Sequence, residues 1–180
     1  MNYHSLNTPA IRRDFAAALR EGLAPDRGLY VPEAIPTIDW ASMQSAGLPE
    51  VATRLLLPYV GDAINEATLF DLLQDALNFD IPLTPVDNKL SQLELFHGPT
   101  AAFKDVGARV MSRLLGATSN DQLTVLVATS GDTGSAVAQG FYNVPGIDVV
   151  ILYPSGRISH IQEQQLTTVG ANVTAVEVDG

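Results

Sequence analysis

The sequence predicts an α/β protein: a parallel sheet with flanking helices, preceded by a small, mostly helical amino-terminal domain. Three observations lead there. From about residue 90 short β-branched apolar runs alternate with helix-like segments, which is the pattern of βαβ units. Before residue 88 the periodic segments have helical spacing and proline-rich connections. The 180 residues are 46% apolar and 17% charged, an ordinary globular balance that excludes wholesale disorder.

In chain order, Ile11–Arg20 carries Ile11, Phe15, Ala18 and Leu19 as a helical stripe that stops at Glu21-Gly22. Ala24-Pro25-Asp26-Arg27-Gly28 reads as a turn, and Leu29-Tyr30-Val31 as a short extended piece before Pro32. Pro49–Val60 and Glu66–Phe79 form two further helices, the second with Asn65 as its N-cap and Leu69, Leu72, Leu73, Ala76 and Leu77 on its apolar side. Ile81-Pro82-Leu83-Thr84-Pro85 breaks the helical pattern. Leu93-Glu94-Leu95-Phe96 is strand-like, and Ala101–Leu115 has Phe103, Val106, Val110 and Leu114 at helical spacing. Leu123–Ala128, Ile147–Leu152 and Asn172–Val178 read as strands of a parallel sheet covered on both faces. Gly134–Phe141 and His160–Val169 are the helices between them. The domain division expected is 1–88 and 89–180, and the stop after the last strand suggests a truncated chain.

Charge and composition narrow the function. Ten Lys+Arg against twenty Asp+Glu give a net charge of −10, which disfavours nucleic acid and anionic membrane surfaces. The absence of cysteine removes disulfides, thiolate metal sites and Cys nucleophiles. His4, His97 and His160 are too scattered for a zinc pair, so no metal is expected. With no apolar leader and no spanning run, the expectation is a cytoplasmic protein.

Two segments carry chemistry. Ala128-Thr129-Ser130-Gly131-Asp132-Thr133-Gly134 joins a strand to a helix through small residues. Such a turn lets backbone N–H groups approach an anion, and it equally fits a plain helix start capped by Asp132 or Ser130. It lacks the lysine of a Walker loop and the third glycine of a dinucleotide fingerprint. The second segment runs from Leu95 through His97-Gly98-Pro99-Thr100 to Phe103-Lys104-Asp105 and Arg109. Lys104, one of two lysines with Lys89, falls in the first turn of a helix after apolar residues. A helix N-terminus and an apolar pocket both favour the neutral amine that a Schiff-base lysine needs. The alternative is a lysine that snorkels or pairs with Asp105. His97 reads as a base or as a hydrogen-bonded turn residue. Arg109 and Arg157 read as anion partners or as packing arginines.

Taken together, these segments resemble the threonine synthases. His97-Gly98-Pro99-Thr100 through Phe103-Lys104-Asp105-Val106-Gly107-Ala108-Arg109 is similar to their pyridoxal-phosphate (PLP) lysine segment. Thr129-Ser130-Gly131-Asp132-Thr133-Gly134 is similar to their Ser-Gly-Asp/Asn-Thr-Gly loop. Gly22–Asp26 with Gly28–Pro32 resembles the family's amino-terminal signature, and Tyr153-Pro154 with Gly156–Ser159 and Gln162, Glu163, Gln165 and Leu166 the stretch after the loop.

The resemblance implies the amino-terminal domain plus part of a fold-type-II PLP catalytic lobe. It implies a PLP-dependent lyase that converts O-phospho-L-homoserine and water to L-threonine and phosphate. Lys104 would be catalytic and hold PLP, with Phe103 and Asp132 also on the cofactor. Ser130, Gly131, Thr133, Gly134 and His97 would bind the substrate, a small molecule. The glycine-rich loop that grips the cofactor phosphate lies further along in the family and is absent here, so this chain alone is expected to be inactive. A homo-oligomer is compatible with the family. Two rivals stand beside this reading: a threonine-synthase-like lyase that degrades the same phosphoester, and a non-catalytic interaction module without the phosphate loop.

Overall fold

The computed structural model describes residues 1–119 and 121–179; Gly180, the last residue of the second expected domain, lies outside them. The chain forms two compact units, one of Met1–Asp75 with Ala117–Ser119, the other of residues 76–116 with 121–179.

The first unit is built on a three-stranded antiparallel sheet in the order β2-β1-β3. Its strands are β1 (Asn2–Ser5), β2 (Arg12–Asp14) and β3 (Tyr30–Pro32). Helical spacing had placed Arg12–Asp14 in a helix. Their backbone instead pairs with β1, and helix α1 (Phe15–Glu21) starts only where Asp14 caps it by accepting from the N–H of Ala17 at 2.8 Å. A stripe at i, i+4 cannot reveal a strand of three residues ahead of a cap. Gly22, at φ 69°, ends α1 by returning its N–H to the Ala18 carbonyl. Helices α2 (Leu48–Val60) and α3 (Glu66–Ala76) follow, and the N–H of Thr68 bonds the Asn65 carboxamide at 3.0 Å as expected of the cap.

The turn at Ala24–Gly28 is tied to β1. Ser5, fully buried, donates its hydroxyl to both carboxylate oxygens of Asp26 at 2.8 and 3.0 Å, and the N–H of Gly28 donates to the same group at 3.0 Å. A Cβ on Gly28 would lie 2.1 Å from Ser5 Oγ, so a glycine is required for this approach. Hydrogen bonds from the Thr8 side chain first, then from Gly28 and Ser5, hold the Asp26 carboxyl below the ordinary carboxylate range. A depressed folded-state pKa gives stability that is complete above the unfolded value and lost as pH falls through the lowered one. Asp26→Asn should therefore be less stable than the parent at neutral pH, and the gap should close as pH falls below about 4. Urea midpoints across that range check it; a gap independent of pH would refute the linkage.

The second unit opens on a hairpin of β4 (Leu83–Pro85) and β5 (Ser91–Leu93), closed by Asp87, whose side chain accepts from the N–H groups of Lys89 and Leu90 at 2.7 and 2.9 Å. The strand expected at Leu93–Phe96 is thus confined to Leu93, in an antiparallel pair. Helix α4 (Lys104–Thr118) precedes a parallel sheet, β6-β7-β8, of β6 (Leu123–Ala128), β7 (Ile147–Pro154) and β8 (Val173–Val178). Helices α5 (Asp132–Gly140) and α6 (His160–Thr167) connect the strands. One sheet face is packed: Ile147, Val149, Ile151 and Tyr153 of β7 are buried with Phe141 and Leu166. The alternate face is more open, with Leu126 67% exposed, so the strands are not buried on both sides among the described residues. The expected α/β class, with a parallel sheet and flanking helices, is what the chain forms.

Candidate functional site

Lys104 is the first residue of α4, and the turn before it is held by its neighbour. Asp105 is fully buried, and its carboxylate accepts from the N–H of Thr100 at 2.9 Å and the Thr100 hydroxyl at 2.6 Å. A Cβ on Gly98 would lie 2.5 Å from the same carboxylate. Asp105 therefore folds Gly98-Pro99-Thr100 over itself and fixes the entry to the helix, with Ala101 in the left-handed region at φ 55°. The Asp105 carboxylate is engaged with Thr100, and Lys104 turns to Phe103, its Nζ standing 4.3 Å from the centre of that ring.

Lys104 lines a cavity of about 580 Å³ together with Phe103, Gly107, Met111, Thr133 and Val137 among others. Lys104 and Thr133 supply its polar side chains; the remainder of the wall is apolar. The fold thus brings the lysine segment and the Ser-Gly-Asp-Thr-Gly turn to one opening. The turn sits at the carboxyl end of β6, the edge where open α/β sheets take ligands.

Thr129 organises that turn. Its Oγ1 accepts from the N–H of Gly131 at 3.2 Å and of Gly134 at 3.1 Å, and its own N–H bonds the Leu152 carbonyl of β7 at 3.0 Å. The N–H groups of Gly131 and Gly134 are thus engaged within the turn. The side chains of Ser130, Asp132 and Thr133 are exposed, and Gly131, with no side-chain cap, occupies the N-cap position expected of Asp132 or Ser130. A Cβ on Gly134 would lie 2.4 Å from Thr129 Cγ2 and 3.0 Å from Leu166 Cδ2. Thr129 cannot rotate away without breaking both hydrogen bonds. Gly134→Ala should cost about 1–3 kcal/mol by overpacking, read from urea unfolding; an unchanged midpoint would show that the turn yields without loss.

His97 lies outside the cavity wall. Its Nε2 pairs with Glu94 Oε2 at 2.7 Å, and its ring stacks obliquely on Phe96 at 4.7 Å. That bond to His97, then one from Thr84, lowers the Glu94 pKa. Arg109 is a packing residue: its guanidinium donates to the Ala76 carbonyl at 2.7 Å and to Asn78 Oδ1 at 2.9 Å and lies over the Phe79 ring. Arg157 is exposed. Sequence reasoning missed Thr129 and Asp105 as organisers. Each abuts a residue that drew the attention, and a short polar side chain beside glycines was the available signal.

Residues 2–77 match the family described as "Threonine synthase N terminus". The chain is 41% identical over 181 residues to a threonine synthase of Haemophilus influenzae, spanning 99% of this chain and 43% of that protein. It is 36% identical to a "Threonine synthase-like 2" of Xenopus laevis, of which it covers 41%. The crystal structure of the Escherichia coli threonine synthase superposes with a TM-score of 0.91 at 38% identity, covering all of this chain and 43% of that one. A PLP-bound threonine synthase from Brucella melitensis gives 0.92 at 35% identity, with 41% of it covered. The chain therefore spans well under half the length of the proteins it matches, and along that span it is similar to the amino-terminal portion of threonine synthases.

Proposed function

We propose that this chain is the amino-terminal part of a PLP-dependent threonine synthase, a lyase that converts O-phospho-L-homoserine and water to L-threonine and phosphate. One observation carries the reading: the Lys104 amine and Thr133 of the Ser-Gly-Asp-Thr-Gly turn line the same, otherwise apolar cavity. That donor set fits the aldehyde and ring end of PLP, since it offers one primary amine within an aromatic and aliphatic wall. When bound, PLP supplies an aldehyde for a primary amine and a ring that stores electrons released as protons leave the substrate.

The chain's own residues divide the remaining work. Lys104 holds the cofactor and, once its amine is free, moves protons at Cα and Cβ of the substrate. Phe103 walls the ring and keeps water from it. Asp132 serves the 3′-oxygen side. The exposed side chains of Ser130 and Thr133 receive the substrate carboxylate, while Gly131 and Gly134, whose N–H groups are engaged by Thr129, shape the turn beneath it, and His97 helps at its phosphate. The domain division belongs to this reading: 1–88 as the amino-terminal domain, 89–180 as part of the catalytic domain.

The cellular setting follows the same reading: a cytoplasmic, possible homo-oligomeric enzyme without nucleic-acid or membrane partners. No helix among the described residues is long and apolar enough to cross a membrane. The test is incubation of the purified full-length protein with PLP and O-phospho-L-homoserine. Equal release of threonine and phosphate supports the proposal. A keto acid in place of threonine would establish the lyase alternative, and no turnover with no PLP uptake the non-catalytic one.

A further inference from the structure

Helix α6 touches the start of α5 at three points, two of them hydrogen bonds one helical turn apart. Gln162 Nε2 donates to Asp132 Oδ1 at 3.1 Å, and the buried Ser135 hydroxyl donates to Gln165 Oε1 at 3.1 Å. Both pairs are separated by 30 residues, so the two helices meet in register, i with i and i+3 with i+3. Beside the second pair Leu166 packs against Gly134, where a Cβ would lie 3.0 Å from Leu166 Cδ2.

Gln162 is used at both ends of its amide. Its Oε1 accepts from the N–H of Ser159 at 3.2 Å while Ser159 Oγ accepts from the N–H of Gln162 at 3.3 Å, a reciprocal capping box at the start of α6. The other end of the same amide reaches Asp132 in the first turn of α5. A glutamine is the one capping-box residue that suits this arrangement. Glutamate would complete the box equally well but would set a second carboxylate against Asp132.

We infer that Gln162 is a positioning residue: its amide locks the Asp132 carboxylate and with it the Thr129–Gly134 turn, coupling the N-cap of α6 to the mouth of the cavity. This rests on the functional reading above for what the turn binds, but not for the lock itself. The lock acts on an exposed turn whose inner N–H groups are already spent on Thr129. What remains to be fixed is the outward face formed by Ser130, Asp132 and Thr133. Gln162 is the side chain that bonds that face from another element.

Gln162→Glu separates the lock from the cap. It keeps the capping box and replaces the donor to Asp132 with an acceptor. In the full-length protein, the melting temperature of Gln162→Glu should stay within a few degrees of the parent. Amide hydrogen exchange at residues 130–133, measured without cofactor, should quicken by about tenfold to a hundredfold, the loss of one hydrogen bond to a charged group. In the PLP-loaded enzyme, KM for O-phospho-L-homoserine should rise by a similar factor with a smaller change in kcat. The double variant Asp132→Asn with Gln162→Glu reverses the polarity of the bond and should restore slow exchange, again measured without cofactor. Unchanged exchange in Gln162→Glu, or no recovery in the double variant, would overturn the inference. If the parent binds no PLP and turns nothing over, the functional reading fails while the exchange experiment still decides the lock.

Discussion

Under the proposed function, Lys104→Ala in the full-length protein is expected to abolish the absorbance of lysine-bound PLP and to lower turnover by about 10³-fold or more, because one side chain would supply both the covalent attachment and the proton transfers. The fold should tolerate the change. Lys104 opens α4, alanine is the best helix former, and the entry turn is held by Asp105 rather than by the lysine. The melting temperature should therefore move little while activity disappears. Lys104→Arg should fail to the same extent. A guanidinium keeps its charge throughout the working pH range and cannot serve as a neutral amine, although it preserves the cation beside Phe103. Borohydride treatment of the parent should leave a stable adduct on Lys104 and none on Lys89. Activity retained in either variant, or an adduct elsewhere, would remove Lys104 from the mechanism.

The 180-residue chain alone should bind PLP weakly. The cavity offers the ring an aromatic and aliphatic wall and the aldehyde an amine, but only Thr133 remains among its polar side chains for a phosphate. The chain carries a net charge of −10, so a phosphate needs dedicated donors to offset the field. A hydrogen bond to an ionised group contributes about 1.5–3 kcal/mol, and each 1.4 kcal/mol is about tenfold in the dissociation constant. Lacking several such bonds should weaken binding by orders of magnitude relative to the full-length protein. Titrating both proteins with PLP and following the absorbance of the lysine adduct decides it. Stoichiometric micromolar binding to the short chain would mean that a phosphate site lies within these residues.

The two segments that meet at the cavity were legible because each is local. A strand, a small-residue turn and a helix start follow one another without interruption from Leu123 to Gly134, and the parallel strands run where β-branched runs stand. Arg12–Asp14 and Leu93–Phe96 were misread for the opposite reason. Whether so short a segment is a strand depends on a partner beside it: β1 pairs with Arg12–Asp14, whereas β4 reaches no further than Leu93, and the pattern within the segment shows neither. Burial on both sheet faces was likewise inferred from apolar runs, yet Leu126 stands open because helices α5 and α6 pack on the other side.

By itself, the sequence determined the α/β class, the order of the strands and helices after residue 100, and the resemblance to threonine synthases, since these rest on short-range periodicity and on motifs read in register. Only the tertiary structure decided that Lys104 and Thr133 share a cavity, that Asp105 serves Thr100 and not the lysine, and that Gln162 reaches Asp132 across 30 residues. The physical reason is directional. A hydrogen bond or a packed contact requires two side chains to converge from different elements, and periodicity along one element carries no information about the angle at which a second one meets it.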